Sequence, residues 1–358
     1  MGSVQIRRES TPLPPRTAVC LGAFDGLHRG HAALIERARS YGDRVALVTF
    51  DPHPQRVLAP QRPLQLLLGA AQRERTAAAL GVHTLVLLHF DLALAKMSAE
   101  EFIDGYLAAL APVAVVVGAD FRFGAGRSGD ATMLAAALPR HGIAVDVVEP
   151  VAQSGGPGPN KIGSTAIRRA IAAGDVAAAH TMLGRPHAVL GTVVRGDRRG
   201  RSIGVPTANV DAPDAPMPAF GVYAVWLSPL RPSAALPGPA AAVANLGTSP
   251  TFAGERKPRL EVHVLDRDLG LPFDGQRPPQ SSTPHSLDPP SLGYGAEVEV
   301  WFVDRIRDEQ HFSGKDALVA QIHADMDVAR ARLQSAAADG VLPPPTPTAR
   351  GDATGDVP

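Results

Sequence analysis

Two histidines three residues apart, His28 and His31 in "GAFDGLHRGH" (residues 22–31), stand where an apolar run gives way to a helical pattern. Residues i and i+3 share one side of a first helical turn, so both imidazoles can address a single anion. The free N–H groups and the positive dipole end of a helix N-terminus favour a phosphate tail at that place. Gly22 and Gly26 permit a tight turn and close backbone approach around Phe24 and Asp25. The chemistry this suits is stabilisation of charge that grows on a triphosphate.

A second constellation is "RGDRRGRSIGVPTAN", residues 195–209. Gly196, Gly200 and Gly204 make a mobile backbone, and Arg195, Arg198, Arg199 and Arg201 set positive charge beside it. Such a loop can cover a polyphosphate or stand as a solvated hairpin tip, and no Walker A sequence accompanies it. Thr207 and Asn209 flank Ala208 on one side of an extended segment, and their oxygens suit a magnesium ion carrying a nucleotide. In "RLEVHVLD", Leu260, Val262 and Val264 face one way while Glu261 and His263 face the other. Glu261 can therefore serve as general base for a hydroxyl nucleophile, or be a strand residue facing solvent; Glu297 and Glu299 are rivals on the same argument. Gly124, Gly126 and Gly129 spell G-x-G-x-x-G with Glu149 twenty residues further on. "ADFRF" intervenes where that fingerprint needs a strand to pass straight into the glycine turn, which argues against a nicotinamide site.

These residues need elements to hold them. "TAVCLG", "RVALVTF", "HTLVLLHF", "VAVVVG" and "IAVDVVE" are near-continuous apolar strands separated by helical patterns, as in a parallel sheet covered on both faces. The first half therefore reads as a doubly wound α/β domain. Ser98 with Glu101 has capping-box spacing for a helix that carries Phe102, Tyr106 and Leu110 on one face. Asp175 caps the next helical segment, which Gly184 stops. After Pro186 the pattern becomes strands without helices between them, "AVLGTVVRG", "GVYAVWL", "AAAVANLG", "LEVHVLD" and "EVEVWFV", which favours an antiparallel barrel or sandwich. A last helical segment places Leu318, Ile322 and Met326 at helical spacing against it.

The 358 residues suffice for two domains, and 35 basic residues balance 35 acidic ones. No global field then recruits nucleic acid or an acidic membrane surface. One cysteine, Cys20, leaves no disulfide framework, and no signal-like or membrane-length apolar run occurs. The expectation is a cytoplasmic protein, a monomer or weak homo-oligomer. Its expected plan is an extension at 1–16, an α/β domain at 17–184, a barrel domain at 185–335 with a Pro/Ser-rich insertion at 267–292, and a disordered tail at 336–358.

The H-x-G-H run resembles a signature of the nucleotidyltransferase superfamily, and "KIGSTAIRRAI" resembles that superfamily's second signature. On that likeness Ser164 and Thr165 meet phosphates at a helix N-terminus, with Arg168 as a cationic clamp. The ordered series "GAFDGLHRGH", "VTFDPHP", "GADFRFG", "GSTAIRRAI", "LGRP", "GRSIGVPTANV", "GVYAV", "NLGTSPTF", "LEVHVLD" and "FVDRIRDEQHF" resembles the prokaryotic bifunctional riboflavin kinase and FMN adenylyltransferase family. The resemblance implies a Rossmann-like nucleotidyltransferase domain followed by a six-stranded antiparallel β-barrel with a terminal helix. It implies riboflavin, FMN and ATP as substrates and Mg²⁺ at Thr207 and Asn209. Glu261 would take the proton of the ribityl 5′-hydroxyl, His28 and His31 would act in adenylylation, and Asp120, Phe121 and Phe123 would shape the flavin and nucleotide site. Gly163, Ala166 and Val262 depart from the family's pattern, where Ser, Arg and Thr are usual, and Lys161 takes a place often held by Arg. These departures leave two alternatives open: one module alone active, or a flavin-binding regulatory protein.

Overall fold

The computed structural model describes residues 3–152, 161–196, 204–250, 256–265 and 292–341. The chain separates into two compact units, Met1–Ile167 with Met182–Gly184, and Arg168–Thr181 with Arg185–Pro358. The division falls inside the helix Ser164–Ala172.

The first unit holds a parallel sheet of β1 (Gln5–Arg7), β2 (Thr17–Leu21), β3 (Arg44–Asp51), β4 (Thr84–His89), β5 (Ala114–Gly118) and a later edge strand, with a two-stranded ribbon of β6 (Arg122–Phe123) and β7 (Gly129–Asp130) beside it. With β8 (Ala144–Val148) at that edge, the order is β1-β4-β3-β2-β5-β8. Alternate residues of each strand enter opposite layers. Val19, Leu21, Val48 and Val115 pack with Phe102, Leu107 and Leu134, whereas Cys20, Leu47, Leu85 and Val116 pack with Leu34, Ile35 and Ala77. Apolarity on both faces of one strand therefore follows from helices on both sides, as expected of a doubly wound domain.

One sequence expectation needs correction here. Residues 1–16 are not a bare extension, because Gln5, Ile6 and Arg7 pair with Thr84, Leu85 and Val86, and Leu13 is buried in the core. Three residues with polar flanks give no periodic signal to read. The Ser98 and Glu101 capping box forms, but the helix it starts passes into a π-helical turn over Ile103–Leu107. The G-x-G-x-x-G run does not join a strand to a helix: Gly124 and Gly126 have positive φ in a short 3₁₀ turn, and Gly129 lies in β7.

The second unit is a closed antiparallel barrel in the order β10-β13-β12-β11-β14-β9. Its strands are β9 (His187–Val194), β10 (Ala208–Asp211), β11 (Gly221–Pro229), β12 (Ala240–Pro250), β13 (Arg256–Val264) and β14 (Glu297–Arg307). Val189, Val210, Val225, Ala244, Val262 and Phe302 fill it. Asp175 caps the helix Val176–Leu183 through the Ala178 N–H at 2.9 Å, and Gly184 ends it at φ +74. Val176 belongs to the barrel core, so residues 168–181 fall with the barrel rather than with the sheet.

The final helix, Lys315–Ala338, lies over the outside of the barrel at Val222, Ala224, Val243 and Val303. Its buried line is Asp325, Ala329 and Leu333, with Met326 partly buried beside them; Leu318 and Ile322 are half-buried. Asp325 is the surprise of that face. Its carboxylate accepts from Arg307 Nε at 2.9 Å and Nη2 at 2.7 Å, and from Gln321 at 2.9 Å, so the charge buried beside Met326 is paired. The helix also outruns the boundary read at 335, because Ala336 to Ala338 continue it at the residue type of highest helix propensity. Leu292, placed at the end of the insertion by composition, is 2% exposed in the barrel core. The rest of the insertion and residues 342–358 lie outside the described residues.

Candidate active sites

In the first unit the strand order reverses between β2 and β5, and an open parallel sheet offers its ligand crevice at the carboxyl ends of such a pair. A cavity of about 840 Å³ opens there, lined by Gly22, His28, His31, Phe121, Lys161 and Ser164 among others. Gly22, Ala23, Phe24 and His28 line it, and their segment is pinned from several sides. Thr49 Oγ1 donates to Ala23 O at 3.0 Å, Ser164 Oγ donates to Asp25 O at 2.8 Å, and the Leu67 N–H donates to Asp25 Oδ1 at 2.8 Å. The Asp25 carboxylate thus ties a neighbouring loop to this turn. Phe24 and Leu27 take positive φ, at 47° and 42°, with side chains 1% exposed in the core; burial holds a backbone that L residues seldom adopt.

His28 occupies the N-cap position of the helix Arg29–Arg39, and its ring stacks on His31 with centroids 3.7 Å apart and planes 16° from parallel. Phe24 meets His31 edge-on at 5.0 Å. Gly30 leaves room for the stack: a Cβ there would lie 3.2 Å from both Cε1 and Nδ1 of His28 and press the ring aside. The spacing of histidines with one glycine between them therefore has a steric reason as well as a helical one.

Phe121 and Phe123 stack at 5.6 Å, and Phe123 leans on Phe102 at 5.7 Å. Phe50 and Phe90, at the ends of β3 and β4, complete an apolar wall that the sequence did not disclose, since its members lie far apart in the chain. Arg122 and Arg127 also line the cavity and had no role in the sequence reading. Lys161 donates to Asp120, and this contact holds the Asp120 carboxyl below the usual carboxylate range. Gly163 lies just before the helix Ser164–Ala172, and open space surrounds the position of its absent Cβ. Ser164 is half-buried, Thr165 is exposed, and Arg168 falls in the second unit.

On the barrel, Ala208 and Val210 point inward while Asn209 points out, and the register sets Asn209 directly opposite Glu261 across β10 and β13. Asn245 of β12 flanks Glu261 on its other side. Arg259, two residues before Glu261 and so on the same face, donates from Nε to Asn209 Oδ1 at 2.9 Å and lies 2.6 Å from Glu261 Oε1. Period-two alternation was signal enough to find Arg259, but its contact with Asn209 depends on register. Gly196 is required by close approach, because a Cβ there would fall 2.0 Å from Asn209 Nδ2. His263 Nδ1 donates to Pro206 O at 2.7 Å and anchors the segment that carries Thr207. Gly204 has φ +81, while Gly200, Arg198, Arg199 and Arg201 lie outside the described residues.

The rival glutamates stand elsewhere. Glu299 is 4% exposed on β14, its charge acting on the half-buried Arg185, and Glu297 is exposed on the same strand. The Thr207 hydroxyl, Asn209 amide oxygen and Glu261 carboxylate are hard oxygen donors of the kind Mg²⁺ takes. Among the described residues no group of three or more His, Cys, Asp or Glu could hold a metal, so a cation here would complete its shell with phosphate and water. No helix among them is long and apolar enough to cross a membrane.

Comparison with known proteins finds both halves. The sequence model of FAD synthetase matches residues 10–166, and that of riboflavin kinase matches residues 183–333. A bifunctional riboflavin kinase/FMN adenylyltransferase of Escherichia coli (strain K12) is 36% identical over 315 residues, covering 87% of this chain and 90% of the relative. The protein of that description from Pseudomonas fluorescens is 35% identical over 317 residues, with 87% and 91% covered. A crystal structure from Streptococcus pneumoniae, described as a macrolide-efflux protein, superposes with a TM-score of 0.75 at 33% identity, covering 91% of this chain and 98% of that one.

Proposed function

From the premise that this chain belongs to the bifunctional riboflavin kinase/FMN adenylyltransferase family, we propose how its residues divide the two reactions. The protein is a transferase that phosphorylates riboflavin to FMN with ATP and adenylylates FMN to FAD, releasing pyrophosphate. Neither a single-activity reading nor a regulatory one has support from the relatives, which carry both activities.

In the kinase reaction Glu261 accepts the proton of the riboflavin 5′-hydroxyl as that oxygen attacks the γ-phosphorus of ATP. Thr207 and Asn209 would hold Mg²⁺, which neutralises phosphate charge when bound, and Gly196 and Gly204 would stand beside the phosphates. In the adenylylation reaction the FMN phosphate is already an anionic nucleophile, so no general base is required. His28 and His31 stabilise the charge that develops as it attacks the α-phosphorus of a second ATP, with Ser164, Thr165 and Arg168 as further donors. Asp120, Phe121 and Phe123 shape the flavin and nucleotide pocket. Balanced charge and a single buried cysteine support a cytoplasmic monomer or weak homo-oligomer that engages neither nucleic acid nor membrane.

The observation that carries the division is the register of Asn209 against Glu261 in one unit and the histidine stack in the other. Glu261→Gln should abolish FMN formation while sparing FAD formation from supplied FMN, and His28→Ala should do the reverse. Chromatographic separation of flavins checks both. Kinase turnover that survives in Glu261→Gln would remove the base from its role.

A further inference from the structure

Arg259 is absorbed by neither reaction, yet it bonds two of the groups that the kinase step needs. One N–H of its guanidinium is shared between the Asn209 amide oxygen, at 2.9 Å, and Glu261 Oε1, at 2.6 Å. Both charged side chains are mostly withdrawn from water, at 21% and 27% exposed, so solvent screens the contact only in part. The oxygen that is to receive a divalent cation is therefore already bonded to a cation. A second positive charge on that same oxygen would stand within one ligand's reach of the guanidinium, and like charges so close repel. Gly247 faces Arg259 across β12 and β13, and the Glu309 carboxylate lies over it, 2.1 Å from where a Cβ would be. An acidic group thus meets the guanidinium from β13, and a second, from the segment after β14, lies over the strand partner of Arg259.

We propose that Arg259 is the resident cation of the barrel's nucleotide site. It is a positioning residue that orients Asn209 and Glu261 in the nucleotide-free enzyme, yields Asn209 Oδ1 when Mg²⁺ arrives with its nucleotide, and so sets the Mg²⁺ concentration at which nucleotide binds. This rests on the reading of Asn209 as a cation ligand.

The test is calorimetric titration of ADP into the full chain over a series of MgCl₂ concentrations. Arg259→Gln should lower the half-saturating Mg²⁺ concentration about three- to tenfold, the equivalent of one charge-assisted contact of which binding no longer has to dispose. Arg259→Lys keeps a charge without the planar fork and should fall between the two. Emission of Trp226 and Trp301, both on barrel strands, reports that each variant is folded. A residue that served only to brace the strand would shift the requirement upward or leave it unchanged, and that result in both variants overturns the proposal. If Arg259→Gln does not fold, a Mg²⁺ requirement in Arg259→Lys at or above that of the parent overturns it alone. Asn209→Ala separates the two layers: a Mg²⁺ dependence unchanged in that variant refutes the ligand reading, and the proposal with it.

Discussion

At Gly30 the helix that begins at Arg29 forgoes the better propensity of alanine, because a Cβ would press on the His28 ring from 3.2 Å. Gly30→Ala therefore sets two effects against each other. The helix should gain about 0.5–1 kcal/mol from reduced backbone freedom, while the histidine stack is displaced. FAD formation from FMN is expected to fall by roughly one to two orders of magnitude, the scale on which small misplacements act, and FMN formation should be unchanged. Flavin assays beside thermal unfolding check both signs. The pairing of His28 and His31 was legible because a local spacing carried it, whereas strand alternation left Glu261 beside Glu297 and Glu299 and only the family likeness singled it out. The bond of the Asp25 carboxylate to the Leu67 backbone, 42 residues on, was not legible, since nothing local announces it. The aromatic wall of Phe50, Phe90, Phe102, Phe121 and Phe123 escaped for the same reason: each sits at the end of a different element.

Among the elements, β9 buries a histidine at its first position. His187 is 2% exposed, and burial, with the nearby Arg185 charge, lowers its pKa to about 4 from 6.5 against a raising bond to Pro216 O at 2.8 Å. The folded form thus binds the proton less readily than the unfolded chain. The stabilisation is present above pH 6.5 and is lost as pH falls toward 4, amounting to something on the order of 3 kcal/mol. Both tryptophans, Trp226 on β11 and Trp301 on β14, lie opposite each other in the barrel, so their emission in urea follows this unit. His187→Gln, which can still donate to Pro216, should flatten the dependence of the urea midpoint between pH 7 and 4.5 relative to the parent. Strands with two buried faces were legible as apolar runs, and caps at Ser98 and Asp175 as local chemistry. The edge strand Gln5–Arg7 and the reach of the last helix to Ala338 were not, because pairing partners and tertiary support decide them. The sixth barrel strand, Ala208–Asp211, entered through family likeness alone, its four residues being too few to show alternation.

For the whole molecule, the two reactions call for different architectures. An anionic nucleophile needs only positioning and charge, which a switch-point crevice suits; a neutral hydroxyl needs a base, the role proposed for Glu261 on a strand face of the barrel. The overall charge balance means that each crevice must attract ATP by its own arginines, lysine and helix ends rather than by a global field. The barrel closes on itself and leaves no unpaired rim. The sheet of the first unit does have one, and the three residues of β1 shield the first half of β4, whose sequence "TLVLLH" is uncharged and rich in leucine. Trimming residues 3–8 would bare that rim as a template for another copy of itself. Such a shortened chain should scatter light and bind an amyloid dye on standing at a concentration where the full chain stays clear, and clarity in both would show the strand to be dispensable.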